Sequence, residues 1–289
     1  MPLSNERPQV WWKKIFFYVL HLLAFCVLMA VLLWLMSMLL QALPIAALGP
    51  FWRDMFIPWA VMLGCALLSV YVLDRLRIGA RLSALGFVRS RMGWASGLGA
   101  LVGSGLVLAC FLILWIGGWV RVVEVDFQLG LFLSWLLFFL VQPLAEEVVM
   151  RTFLQSQTHF YFGPQAGLII TALVFGLLHA DNENFSWIAG LEITAGGYLM
   201  GLLYLHTQSI WGPYLLHASW NFMQSTVLGF AVSGVDTYRA LELDIAGPEW
   251  LTGGDFGIEG SMLSLLLLLG AIAWFWPARK AGLPLADVS

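Results

Sequence analysis

Residues 15–42 contain no aspartate, glutamate, lysine or arginine, and at about 1.5 Å of rise per residue they outreach the roughly 30 Å hydrocarbon core of a bilayer. Lipid offers no partner to a free backbone N–H or C=O, so such a run must be helical. It also exceeds the roughly 7–15 apolar residues of a signal-peptide core, and is expected to persist as a membrane helix. Further apolar runs are expected as helices at about 56–73, 97–120, 129–144, 166–178, 187–205, 210–232 and 261–276. Together they predict an all-α fold: a polytopic transmembrane helix bundle of about eight spans. A composition of 61% hydrophobic and 11% charged residues agrees, since soluble domains carry about 25% charged residues. No repeat or linker divides the chain, and residues 1–289 are read as a single integral membrane domain.

Charge placement sets the expected topology. Arg7, Lys13 and Lys14 precede the first span, and Arg75, Arg77, Arg81, Arg89 and Arg91 follow the second, whereas residues 233–260 carry six acids against Arg239 alone. Lys and Arg accumulate in cytoplasmic loops. Both termini are therefore expected in the cytoplasm and the acidic segment outside. With a net charge of −3 and no basic block, nucleic acid is not a partner. Cys26, Cys65 and Cys110 all lie in apolar runs and read as buried small hydrophobes. Gly99 with Gly103, and Gly197 with Gly201, clear one stripe of a helix for close approach by another. Trp11, Trp12, Trp52, Trp187, Trp211 and Trp276 stand near span ends, where tryptophan anchors at the interface.

Charged groups at membrane depth cost several kcal/mol, so those that remain usually face the protein interior. Glu146 and Glu147 adjoin one of the longest apolar runs, and Arg151 follows one turn later. On a helix Glu147 and Arg151 stand at i and i+4 and can pair, while Glu146 points about 100° away and stays available. An ordinary charged helix end would look the same. Two further polar elements lie on later helices: Phe175 with His179, and His217 with Asn221, the latter pair at i and i+4 on one face. A glutamate in low dielectric can act as general base toward water, helped by a histidine. Imidazole and asparagine N–H groups can stabilise an oxyanion. That assigns Glu146 and His179 to the water and His217 with Asn221 to the oxyanion. The same Glu146, His179 and His217 would also make a His₂Glu zinc set, although no His-Glu-x-x-His is present. Glu192 reads as an interfacial glutamate ahead of the alternative that it lines a substrate path, and residues 252–260 read as a tight glycine-rich turn without assigned function.

These motifs resemble the CPBP intramembrane proteases, the CAAX protease and bacteriocin-processing (Abi) family related to the Ras-converting CAAX endopeptidases. The family's Glu-Glu-x-x-x-Arg is matched by Glu146, Glu147 and Arg151, its Phe-x-x-x-His by Phe175 and His179, and its His-x-x-x-Asn by His217 and Asn221. The resemblance implies a protease core at about residues 128–232 enclosing a catalytic cavity, with Glu146 as base and Glu147 and Arg151 in support. It implies an intramembrane endopeptidase that hydrolyses a peptide or membrane-protein substrate near its C-terminus or the membrane by glutamate-activated water. No cofactor is expected, with zinc through Glu146, His179 and His217 as the alternative. The implied location is a bacterial inner membrane. A proton-coupled transporter, or a non-catalytic membrane immunity or scaffold protein, would carry similar buried charges. Simple spans would hold Glu146 and His179 at opposite ends, so one long helix is expected to run through Glu146 and Arg151 near mid-depth.

Overall fold

The computed structural model describes residues 11–77 and 86–280. Arg7 and Arg81, used in the topology argument, lie outside them. Ten α-helices are found among the described residues: α1 (Trp11–Gln41), α2 (Ile57–Arg77), α3 (Met92–Ile116), α4 (Leu129–Glu147), α5 (Ser156–Phe162), α6 (Pro164–Leu178), α7 (Trp187–Thr207), α8 (Trp211–Phe222), α9 (Glu249–Thr252) and α10 (Met262–Phe275). A π-helical stretch, Val148–Gln155, joins α4 to α5, so one continuous helix runs from Leu129 to Phe162 with Glu146 near its middle. The long helix expected through Glu146 and Arg151 is therefore present.

Among the described residues six helices are long and apolar enough to cross a membrane, against the roughly eight spans expected. The chain is a multi-pass helical bundle. Two of the predicted segments fall short: α6 has 15 residues, about 22 Å of rise, and α8 has 12 before a π-helical extension, Met223–Val227. These two carry His179, His217 and Asn221. Between residues 187 and 207, α7 is the most enclosed spanning helix, with 67% of its apolar window buried against 17% for α1.

Both glycine stripes are contact surfaces. A Cβ added to Gly99 would meet Gly212 O at 2.1 Å, and one on Gly103 would meet Leu216 O at 2.3 Å. Helix α3 thus lies directly on the backbone of α8. Gly197 and Gly201 bring α7 against side chains of α6 and the π-helical stretch, with an added Cβ at 3.2 Å from Phe175 Cβ on the first and at 2.9 Å from Leu168 Cδ2 and 3.1 Å from Gln155 Oε1 on the second. Where lipid tails are as apolar as the side chains, this close packing is what holds helices together.

One element was not foreseen by an all-helical reading. Strands β1 (Val120–Val125) and β2 (Leu241–Ile245) pair antiparallel, from Val120 opposite Ile245 to Val125 opposite Leu241, with an irregularity between Val122 and Glu124. Beyond them Tyr238 Oη accepts from Gln128 N and donates to Asp126 O, both at 2.7 Å. Cys65 and Cys110 are buried as expected, but Cys26 is exposed on the outer side of α1.

Candidate active site

The long helix brings Gln142, Glu146, Glu147 and Arg151 onto successive turns. Glu147 and Arg151 are both fully buried and pair at 2.8 Å through Oε2 and Nε, the i, i+4 contact expected from their spacing. Arg151 Nη1 also donates to Gln155 Oε1 at 3.3 Å, and its guanidinium lies 5.8 Å from the centre of the Phe175 ring. A lone guanidinium would not be tolerated here. Glu147 supplies its counter-charge and Phe175 a π-face.

Helix α8 presents His217 and Asn221 to this face. It is fixed against the long helix by Tyr214 Oη, which donates to Leu140 O at 2.8 Å, and against α3 by the glycine contacts. His217 Nδ1 lies 3.3 Å from Glu147 Oε1, and Nε2 lies 3.7 Å from Glu146 Oε2. A carboxylate can only accept, so Nδ1 carries hydrogen and Nε2 is left to face Glu146. Glu147 therefore serves both Arg151 and His217, one oxygen to each.

Glu146 is held from one side. Gln142 Nε2 donates to its Oε1 through a short hydrogen bond, while Oε2 is buried and accepts none from the described residues. Gln142 Oε1 in turn stands 3.5 Å from Asn221 Nδ2, at the limit of a useful hydrogen bond. A chain of amides thus runs from Asn221 through Gln142 to Glu146. Two π-helical segments begin just beyond these residues, at Val148 and at Met223. Such turns recur at functional sites, where they shift side-chain register.

His179 caps the C-terminal end of α6. Its Nδ1 donates to Phe175 O at 2.8 Å, which leaves Nε2 as the acceptor nitrogen. It makes no hydrogen bond or ion pair with Glu146. What joins it to the others is Phe175, whose ring lies 4.7 Å from that of His179 and 5.7 Å from that of His217. The three motifs therefore converge around Phe175, with His217 touching the carboxylates directly and His179 one ring further out. No three His, Cys, Asp or Glu side chains among the described residues are grouped to hold a metal ion.

Beside His217 and Asn221 opens a cavity of about 40 Å³, also lined by Glu192, Ser233 and Glu259. Glu192 is 3% and Glu259 6% exposed. Glu192 is thus a cavity residue, not the interfacial glutamate expected. Glu259 belongs to the glycine-rich turn: its Oε2 accepts from Ser233 N at 2.5 Å and from Ser233 Oγ at 2.9 Å. Burial pushes its carboxyl above the usual glutamate range, with the Ser233 hydrogen bonds and the charges of His179 and His217 acting the other way. Gln142 had one sequence signal, its position four residues before Glu146. Glu259 had none beyond the glycines around it.

Residues 128–223 match the family model described as Rce1-like, type II CAAX prenyl endopeptidase. The match spans about a third of the chain and contains Glu146, Glu147, Arg151, Phe175, His179, His217 and Asn221. The family resemblance of the motifs holds over this region. No curated protein matches the chain.

Proposed function

We propose that this peptidase region is an intramembrane endopeptidase in which Glu146 activates water to hydrolyse a peptide bond of a peptide or membrane-protein substrate. The observation that carries the reading is the opposition of Glu146 Oε2 and His217 Nε2 at 3.7 Å. One carboxylate oxygen without another acceptor role thus faces an imidazole nitrogen whose partner nitrogen is already engaged.

In this mechanism Glu146 Oε2 takes a proton from water as the oxygen attacks the scissile carbonyl, and returns it to the leaving amine. Asn221 Nδ2 is weakly bound to Gln142 and so can turn to the developing oxyanion. His217 joins it as a donor only when protonated, because its Nδ1 hydrogen is directed at Glu147. The sequence expectation of a neutral His217 N–H at the oxyanion is thereby replaced by an imidazolium, stabilised by Glu147. His179 Nε2, an acceptor, suits the water side. The residues need no metal for these steps.

The substrate need not be prenylated, and we place both termini in the cytoplasm of a bacterial inner membrane. The test is cleavage of a library of C-terminal peptide tails by the purified protein in detergent. Cleavage by wild type that is lost in Glu146→Gln supports the reading. Equal cleavage by both, or none by either alongside proton-coupled solute flux in vesicles, refutes it.

A further inference from the structure

Glu192 and Glu259 come from different parts of the chain, α7 and the turn before α10, yet line one cavity with His217 and Asn221. Each is fastened at a single oxygen. Ser264 Oγ donates to Glu192 Oε1 at 2.5 Å, and Ser233 N and Oγ donate to Glu259 Oε2. The second oxygen of each makes no hydrogen bond to any described residue, and neither carboxylate forms an ion pair with lysine or arginine among them. The two are close enough to influence one another electrostatically, and Glu259 also feels His179 and His217.

Two buried ionised carboxylates cost several kcal/mol unless positive charge offsets them, and the His179 and His217 imidazoles act on Glu259 without pairing with either carboxylate. The two carboxylates can stand together only with a proton between them or with a cation. Arg151 is committed to Glu147 and Gln155, so the protein supplies no guanidinium. The donor geometry does not suit a divalent ion, since no third carboxylate, histidine or cysteine joins the pair in a metal-holding group. The space left is about 40 Å³, where one water-sized occupant takes roughly 10–15 Å³. An ammonium is a compact charge with three N–H donors, whereas a guanidinium is a wider planar fork. Three donors match two free carboxylate oxygens and one further acceptor.

We infer that Glu192 and Glu259 form a subsite for the ammonium group of a substrate lysine lying beside the scissile bond. The inference rests on the peptidase reading above and deepens it. With no lysine bound, the pair holds a shared proton. A lysine side chain entering from the substrate replaces it, and the proton leaves to solvent. The glycine-rich turn then has a role: it delivers Glu259 into the cavity from outside the region that resembles known peptidases.

The test uses matched peptides carrying lysine or its uncharged counterpart norleucine at each of the two positions on either side of the cleaved bond. In wild type the lysine-to-norleucine ratio of kcat/KM is expected to reach about tenfold or more at one position, and to fall toward one in Glu192→Gln and in Glu259→Gln. A variant that merely folds poorly would lose both peptides equally and keep the ratio. A wild-type ratio near one, or a ratio unchanged in both variants, overturns the subsite while Glu146-dependent cleavage still stands. A second arm measures binding of the same peptides to Glu146→Gln protein by tryptophan fluorescence. Tighter binding of the lysine peptide, abolished by adding Glu192→Gln, supports the subsite even if no turnover is found. Equal binding of the two peptides overturns it.

Discussion

Glu147 Oε1 stands 3.3 Å from His217 Nδ1, so the carboxylate that neutralises Arg151 also fixes the ring facing Glu146. A single residue thereby couples the stability of the long helix to the orientation of an imidazole on α8. The pairing separates what Glu147 does from what Glu146 does, and the two acids should respond differently to the same substitution.

Glu147→Gln leaves the Arg151 charge without its counter-ion, and a broken buried pair costs about 3–5 kcal/mol. The melting temperature in detergent, followed by intrinsic fluorescence, should fall clearly. Replacing both partners together, as Glu147→Leu with Arg151→Met, should recover much of that loss without recovering peptidase activity, because His217 still lacks its partner.

Glu146→Gln should do the reverse. Its Oε2 accepts no hydrogen bond, so the amide costs the fold little, while removing a general base lowers the rate about 10²–10⁴-fold. Asn221→Ala should lower kcat by about 10²–10³-fold, as loss of an oxyanion donor does. Steady-state kinetics and melting curves on the same preparations separate the two effects.

Chelation offers a third check. Peptide cleavage should persist after dialysis against a strong zinc chelator and should not rise on adding zinc, because His179 and Glu146 do not converge with His217 into a ligand set. Activity that falls on chelation and returns with zinc would make Glu146 a ligand instead of a base.

Glu259 gives a pH signature. Burial raises its carboxyl, outweighing the Ser233 hydrogen bonds and the charges of His179 and His217, which lower it. The folded state therefore binds its proton more tightly than the unfolded chain, and stability from this group is lost as pH rises above the ordinary glutamate value of about 4.3. Glu259→Gln carries no such titration. The melting temperature of the variant minus that of wild type should increase between about pH 5 and pH 8, and a flat difference would be the contrary result.

Gly103→Leu should be among the costliest substitutions outside the site. The added carbon meets Leu216 O at 2.3 Å, and overpacking of a filled interface costs about 1–3 kcal/mol or more. Since α8 carries His217, activity should fall along with the melting temperature. Gly97→Leu, with nothing within 4 Å of its added carbon, serves as the tolerated control.

The helices were legible because lipid forces one solution on any long apolar run, and the Glu147–Arg151 pair was legible because both residues share one helix. Glu192 was visible but ambiguous, since one glutamate in a helix does not reveal whether it faces lipid headgroups or a cavity. Glu259 was hidden by its neighbours. In an acid-rich segment it resembled a solvated charge, and only the fold brings it against α7 and α8. Of the two helices that carry the histidines and asparagine, α6 is short already as an apolar run, at 166–178, and α8 reads as longer than it is because apolar residues continue past its π-helical end at Val227. The two-stranded ribbon was missed because its strands are short and its partners lie 125 positions apart, from Val120 to Ile245.

That separation says something about the order of assembly. All of α4 to α8 lies between the two paired strands, so β1 has no partner until the chain bearing every motif helix has been made. Distant pairing is slow because loop closure must precede any gain from the contact. Formation of the ribbon during biogenesis would report that the whole segment between its two ends has been made.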